Sequence, residues 1–323
     1  MAQRYGLKML GSVLLIFLAF GQGGYAQTSV KKIGILIWAN EGRYETSKDA
    51  FIAELKNEGF ASPQVQFIIR RAKGSKVKAM QMAAELAALK QDLYFALGTG
   101  GTNAMSKAEK VRPIVFSVVY DPIEAGFVQG WDSSSNNLSG TANLVPMEKV
   151  LALANRIVPV KSLAVLYTPH EKNSESQLKD LMAAQKETGV TVLPVAISNE
   201  TEIASSLPFI LGRAQAIYVT GSIVIGKAIP DIVSFSLKNK ILTISHLEDL
   251  MDKGIMVALS ADAKEQGQKA GAIAVKVLNG ALPQDIPIER AKSFSIVINK
   301  KIALAAGVQI PTDIIRQAKK IIE

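Results

Sequence analysis

The sequence predicts an α/β protein built as two successive halves, each an open, mostly parallel sheet covered by helices. Three observations carry this. From Lys31 onward, short runs rich in Ile, Val, Leu, Phe and Tyr alternate with longer segments of helical period, the pattern of strands that feed covering helices. A Gly-, Ser- and Asn-rich stretch over residues 130–140 interrupts the rhythm, which then restarts. The 323 residues are about two domains' worth of chain at roughly 100–200 residues each.

In the first half, strands are expected over residues 33–38, 65–69, 93–97 and 114–118, with helices near 45–59, 76–90 and 102–110. Gly59 is a helix stop, because glycine takes the left-handed conformation without steric cost, and Pro113 opens the fourth strand. In the second half, strands near 163–167, 190–196, 216–220, 241–245 and 255–259 enclose helices near 173–188, 200–211 and 223–239. A long helix over 262–279, a Pro-rich turn, a strand near 294–298 and a helical tail around 304 and 312–322 finish the chain.

Composition excludes several classes. With 48% hydrophobic and 20% charged residues the chain is neither disordered nor fibrous. It has no cysteine and two histidines, His170 and His246, which removes thiolate zinc sites, disulfides, Cys nucleophiles and multi-His metal centres, so neither metal nor cofactor is expected. Residues 1–26 carry Arg4 and Lys8, an apolar stretch over 9–20 and a small-residue pattern ending in Ala26, the form of a cleaved secretory signal peptide that sends the rest to the periplasm. The net charge of +9 is dispersed without a block of like charges, which fits solubility and argues against nucleic acid.

Two open sheets suggest a ligand cleft outside the carboxyl ends of their strands. The residues so placed are Asn40, Glu41 and Tyr44 after the first strand, Thr99, Gly100, Gly101 and Thr102 after the third and Asp121 after the fourth. In the second half they are Asn173, Ser222 and His246. Gly98-Thr99-Gly100-Gly101-Thr102-Asn103 reads as a turn before a helix, whose free N–H groups suit a carboxylate or phosphate; a structural turn and an incomplete dinucleotide fingerprint are the other readings. The segment from Gly221 to Ala228 nearly matches a phosphate loop but has Ala228 where a magnesium-binding hydroxyl belongs, and Ser222 serves better as a helix cap. Asp121 before Pro122 is either a helix cap or a cleft acid. Trp38 and Trp131 divide between packing and a stacking wall. No G-x-S-x-G elbow is present.

The ordered stretches KKIGIL, LGTGGTNA, PIVFSVVYDPIEAGFV, NLSGTA, LAVLYTPHEKNSESQ, AIYVTGS, GQKAGAIAVKVLNG and VINKKIALAAGVQIP resemble the substrate-binding proteins of ABC uptake systems, of the tryptophan-binding type. The resemblance implies the type I periplasmic-binding-protein fold: two doubly wound parallel-sheet lobes joined by a hinge. It divides the chain into an N-terminal lobe over 27–143 and 262–288 and a C-terminal lobe over 144–261 and 289–323. It also implies that Thr99 to Thr102 receive a ligand carboxylate and that Asp121, Asn173 and Asp262 are polar cleft positions. The family's Thr-Pro-Ala-Ala turn is Thr99-Gly100-Gly101-Thr102 here, its Asp-Asn pair is Ser222-Ile223 and its His-Pro is Glu41-Gly42. The function implied is a monomeric periplasmic receptor for a small polar or zwitterionic solute, handed without chemistry to an ABC permease and its ATPase. A sensing subunit for a membrane receptor and an exported hydrolase using Asp121 or Glu41 as base are the alternatives.

Overall fold

The computed structural model describes Met1 and residues 30–323; apart from Met1, the expected signal over 1–26 lies outside the described residues. The first lobe starts with β1 (Lys31–Ile37), α1 (Gly42–Asn57), β2 (Val65–Arg71), α2 (Lys76–Ala88), β3 (Leu93–Leu97), α3 (Gly98–Ala108), β4 (Ile114–Val119) and β5 (Leu138–Ala142). The chain then builds a second lobe from α4 (Met147–Ile157), β6 (Ser162–Tyr167), α5 (Lys172–Thr188), β7 (Thr191–Ala196), α6 (Ile203–Ser206) and β8 (Ala216–Val219). This lobe continues through α7 (Ile223–Lys227), α8 (Ile229–Asn239), β9 (Leu242–Ser245) and β10 (Val257–Ser260). Next, α9 (Ala263–Leu278) and β11 (Glu289–Arg290) return to the first lobe. Finally β12 (Ser295–Asn299), α10 (Lys300–Ala305), α11 (Thr312–Gln317) and β13 (Ala318–Ile322) complete the second.

The first sheet has the order β2-β1-β3-β4-β5-β11 with every pair parallel. The second runs β7-β6-β8-β9-β10-β12-β13 and is parallel except where β12 lies antiparallel to β10. Helices cover the sheets, so β3 and β4 are buried on both sides and read as continuous apolar runs. The chain passes between lobes over residues 143–146, 261–262 and 291–294. Because β11 pairs with β5, residues 289–290 belong to the first sheet, two residues past the expected boundary.

Other differences have local causes. The Gly98–Gly101 segment is the first turn of α3 itself, with no intervening loop. The strand β5 lies at the end of the Gly-rich stretch, and α4 forms where no element was expected, on the spacing of Val150, Leu151, Ala154 and Ile157. The single helix expected over 223–239 is broken before Pro230, which has no N–H to continue it. Residues 200–211 form short turns around Pro208. The tail over 318–322 is an edge strand with Lys319 and Lys320 exposed, where a helix was expected.

The return of α9 to the first lobe depends on close approach to α1. A Cβ on Gly267 would sit 2.2 Å from the Ser47 carbonyl oxygen, and one on Gly271 would sit 2.6 Å from the Glu54 Cβ. These contacts are to backbone and to a side-chain root, so the neighbours have little room to yield. Gly267→Ala is expected to cost roughly 1–3 kcal/mol through overpacking. Urea unfolding that shows less than about 0.5 kcal/mol of loss would mean the helices separate freely.

Candidate functional site

Both sheets reverse their strand order at one point, between β1 and β3 in the first lobe and between β6 and β8 in the second. Chain leaving such strands flanks a crevice at their carboxyl ends. The lobes turn these crevices toward each other around a narrow, partly open cavity of about 20 Å³. From the first lobe its wall takes Trp38, Arg43, Tyr44, Thr99, Gly100, Val118, Tyr120 and Asn143. The second lobe supplies Asn173, Gln177, Gly221, His246 and Leu247.

The start of α3 forms one side. Helix geometry leaves the N–H groups of its first turn, Gly98 to Gly100, without partners four residues back, at the positive end of the helix. Two aromatic rings close against this turn because Gly98 and Gly100 lack side chains. A Cβ on Gly98 would fall 2.8 Å from the Tyr44 hydroxyl, and one on Gly100 would fall in the Trp38 ring. The glycines thus set where Trp38 and Tyr44 stand.

Charge is confined to one buried group. Arg43 Nη1 donates to both oxygens of Asp249 across the lobes, at 3.0 and 2.9 Å, while Nη2 contacts the Glu41 carboxylate at its own helix start. Burial opposes the Arg43 charge, but Asp249 and the other partners outweigh it, so its pKa lies above the ordinary value. Opposite, the Gly221 peptide is held from both ends: the Asn173 amide donates to its carbonyl at 2.7 Å and Gln177 accepts from its N–H at 3.0 Å. Asn143 presents a buried Oδ1 with no hydrogen-bond partner among the described residues. Such groups are uncommon in folded proteins unless something else satisfies them.

His246 is fully enclosed. Its Nδ1 shares a hydrogen bond of 2.7 Å with the Tyr218 hydroxyl. Burial, reinforced by the Arg43 charge, depresses its pKa to about 3, so it is a neutral imidazole at physiological pH. The lobes are bridged further by Tyr120 to Asp180 at 2.7 Å, Lys179 to Glu124 at 2.6 Å and Lys172 to the Ala125 carbonyl at 2.5 Å.

Of the residues expected from sequence, the structure brings Tyr44, Thr99, Gly100, Asn173 and His246 to this cavity. The others stand elsewhere. Asn40 is exposed and off the wall. Glu41 stands at the N-cap position of α1 without a side-chain capping bond and instead pairs with Arg43. Gly101 packs on β1, and Thr102 is completely buried with an unpartnered hydroxyl, because the helix turns both inward. Asp121 accepts from the N–H groups of Ile123 and Glu124 at 2.8 and 3.0 Å, the capping role. Ser222 caps α7 and meets Thr168 at 2.6 Å. Asp262 caps α9 and binds Lys319 at 2.5 Å beside the second lobe crossing. Sequence reasoning missed Arg43, Val118, Tyr120, Asn143 and Gln177. Gln177 lies one helical turn from Asn173 and was recoverable by spacing; Asn143 depends on β5, which was not foreseen.

This chain belongs to the family of ABC transporter substrate binding proteins, whose model matches residues 32–322. It is 27% identical over 281 residues to the tyrosine-binding protein of Clostridioides difficile (strain R20291), covering 86% of this chain and 81% of that protein. Among solved structures it matches an ABC domain in complex with L-Trp from Streptococcus pneumonia at 27% identity, covering 91% of this chain and all of that one, with a TM-score of 0.85. The ligand-free, open structure of a substrate binding protein with adhesive properties from Clostridium difficile is equally identical, 27%, covering 90% of this chain and 99% of that one, yet scores 0.73.

The depressed His246 pKa has a consequence for stability. The unfolded chain takes up this proton near pH 6.5 and the folded one near pH 3, so this group adds no pH dependence above 6.5 and destabilises as pH falls between those values. The stability difference between wild type and His246→Gln should change by about 1.4 kcal/mol per pH unit between pH 6 and 4. Parallel unfolding curves at pH 7, 6, 5 and 4 measure it, and a constant difference would place His246 in contact with solvent. Thr102→Val, by contrast, should leave ligand affinity within twofold and raise stability slightly by removing an orphaned hydroxyl.

Proposed function

We propose that this protein is the exported receptor of an uptake system. It closes its two lobes on a small zwitterion with an aromatic or other apolar side chain and delivers it unaltered, as a monomer, to a membrane permease powered by a partner ATPase. The observation that carries this is the pairing, in one inter-lobe cavity, of a helix N-terminus with an orphaned acceptor. The first turn of α3 offers N–H groups to a carboxylate, while Asn143 Oδ1 waits for a donor such as an ammonium. Trp38, Tyr44 and Tyr120 supply aromatic faces, which also attract a cation. The relatives named for tyrosine and solved with L-Trp support the same class of ligand. The signal-like sequence over 1–26 supports export, and the family supports the permease and ATPase as partners.

The acid that the family pattern places after β8 is missing, so recognition of the ammonium falls to neutral oxygens, Asn143 first and Asn173 beside it. A micromolar complex needs about −8.2 kcal/mol in total. A hydrogen bond to a charged group contributes about 1.5–3 kcal/mol of that.

Calorimetry against tryptophan, tyrosine and phenylalanine should find at least one binding at micromolar affinity, recovered chemically unchanged. Asn143→Leu should weaken that ligand at least about tenfold. It should also leave the ligand-free protein as stable or slightly more so, because the substitution removes an unsatisfied buried oxygen. Full affinity in the variant, or turnover of the ligand, would sink the proposal.

A further inference from the structure

A larger, partly open chamber of about 320 Å³ lies beside the small cavity, and the two share Trp38, Thr99, Gly100 and Asn173 as a common wall. The chambers differ in character. The inner one is lined by amides, Arg43 and hydroxyl-bearing rings. The outer one is walled by the Trp38 ring, Met80 and Ala104, with Lys76 and Lys107 of the first lobe and Lys172 of the second around it. A zwitterion whose carboxylate sits on the first turn of α3, at the shared wall, has its ammonium on the inner side and its side chain directed into the outer chamber.

We propose that the outer chamber extends the binding site for an aromatic zwitterion carrying a second anionic group at the far end of its side chain, received by Lys76 and Lys107. This rests on the zwitterion reading above and names its substrate class more narrowly. Two facts favour an anion over a neutral or cationic end. Lys76 and Lys107 have no ion-pair partner among the described residues. The chamber's one lining carboxylate, Glu171, accepts from the Ile223 N–H at 3.3 Å and is attracted by Lys76 without forming an ion pair, and the third lysine, Lys172, is held by the Ala125 carbonyl.

The test compares three ligands of the same shape in calorimetry at low and moderate salt: tyrosine, 4-carboxy-L-phenylalanine and 4-aminomethyl-L-phenylalanine. The expected order is carboxylate tightest, tyrosine next and ammonium weakest, with about a fivefold step for the carboxylate that shrinks as salt rises. In the Lys76→Gln/Lys107→Gln double variant that step should vanish while tyrosine affinity stays within twofold. Tyrosine binding with no preference for the carboxylate, a preference for the ammonium, or a carboxylate preference that survives in the double variant would each overturn the extension and leave the zwitterion reading standing. Failure of all three to bind while tryptophan or phenylalanine binds would likewise overturn the extension alone; failure of tryptophan and phenylalanine as well would remove the zwitterion reading beneath it.

Discussion

A parallel sheet whose strand order reverses leaves a crevice outside the carboxyl ends of its strands, and this molecule turns two such crevices face to face. The cavity follows from that constraint. Each strand end delivers a short connection before the next helix begins, so the wall is made of helix starts and post-strand residues from both lobes. Helix starts carry unpaired N–H groups by their geometry, and glycine at 98, 100 and 101 leaves Thr99 as the one side chain in this first turn. A ligand in the gap therefore meets fixed dipoles already oriented by the fold, at little cost in reorganisation.

Closing the gap demands that buried charge stay paired throughout. Arg43 meets this requirement with one carboxylate, Glu41, from its own lobe and another, Asp249, from the second. Separating the lobes would exchange Asp249 for water at the guanidinium and leave Glu41 in place. Coulombic gain and desolvation oppose each other in such an exchange, and the net is small. The Lys179–Glu124 bridge is largely exposed, so solvent screens it and it contributes little. Polar bridges thus set the register of the closed state more than its depth, which leaves the ligand to decide the population.

Much of the fold was legible and only part of the site. Strands such as 93–97 and 114–118 are continuous apolar runs of β-branched and aromatic residues, and a buried parallel strand has no other signature. The strand β5, Leu-Ser-Gly-Thr-Ala, has none of it and is held by β4 on one side and β11 on the other, so tertiary pairing overrides local preference. At the site, topology correctly nominated residues after strands, yet a helix turns its side chains through about 100° per residue. Thr99 and Gly100 therefore face the cavity while Gly101 and Thr102 face the core. The carboxylates of Asp121 and Asp262 are spent on capping, which local sequence cannot separate from ligand binding, since both uses place an acid before a helical turn.

One strained residue links the site to closure. Val118, β-branched, holds φ at 56°, in the left-handed region, where the pairing of β4 with β5 slips between Phe116 and Val119. Such a conformation costs on the order of 1–3 kcal/mol and persists only where its surroundings impose it. Here it redirects the chain so that the Tyr120 ring leaves the first lobe and enters the apolar core of the second, with its hydroxyl on Asp180. Burying an aromatic ring gains roughly 1.5–3 kcal/mol, which offsets strain of that size. The same turn puts Val118 and Tyr120 on the cavity wall beside Asn143, where the chain makes its first crossing between lobes. Strain, inserted ring and hinge are therefore one local arrangement, and any ligand that presses on Val118 or Tyr120 acts directly on the element that joins the lobes.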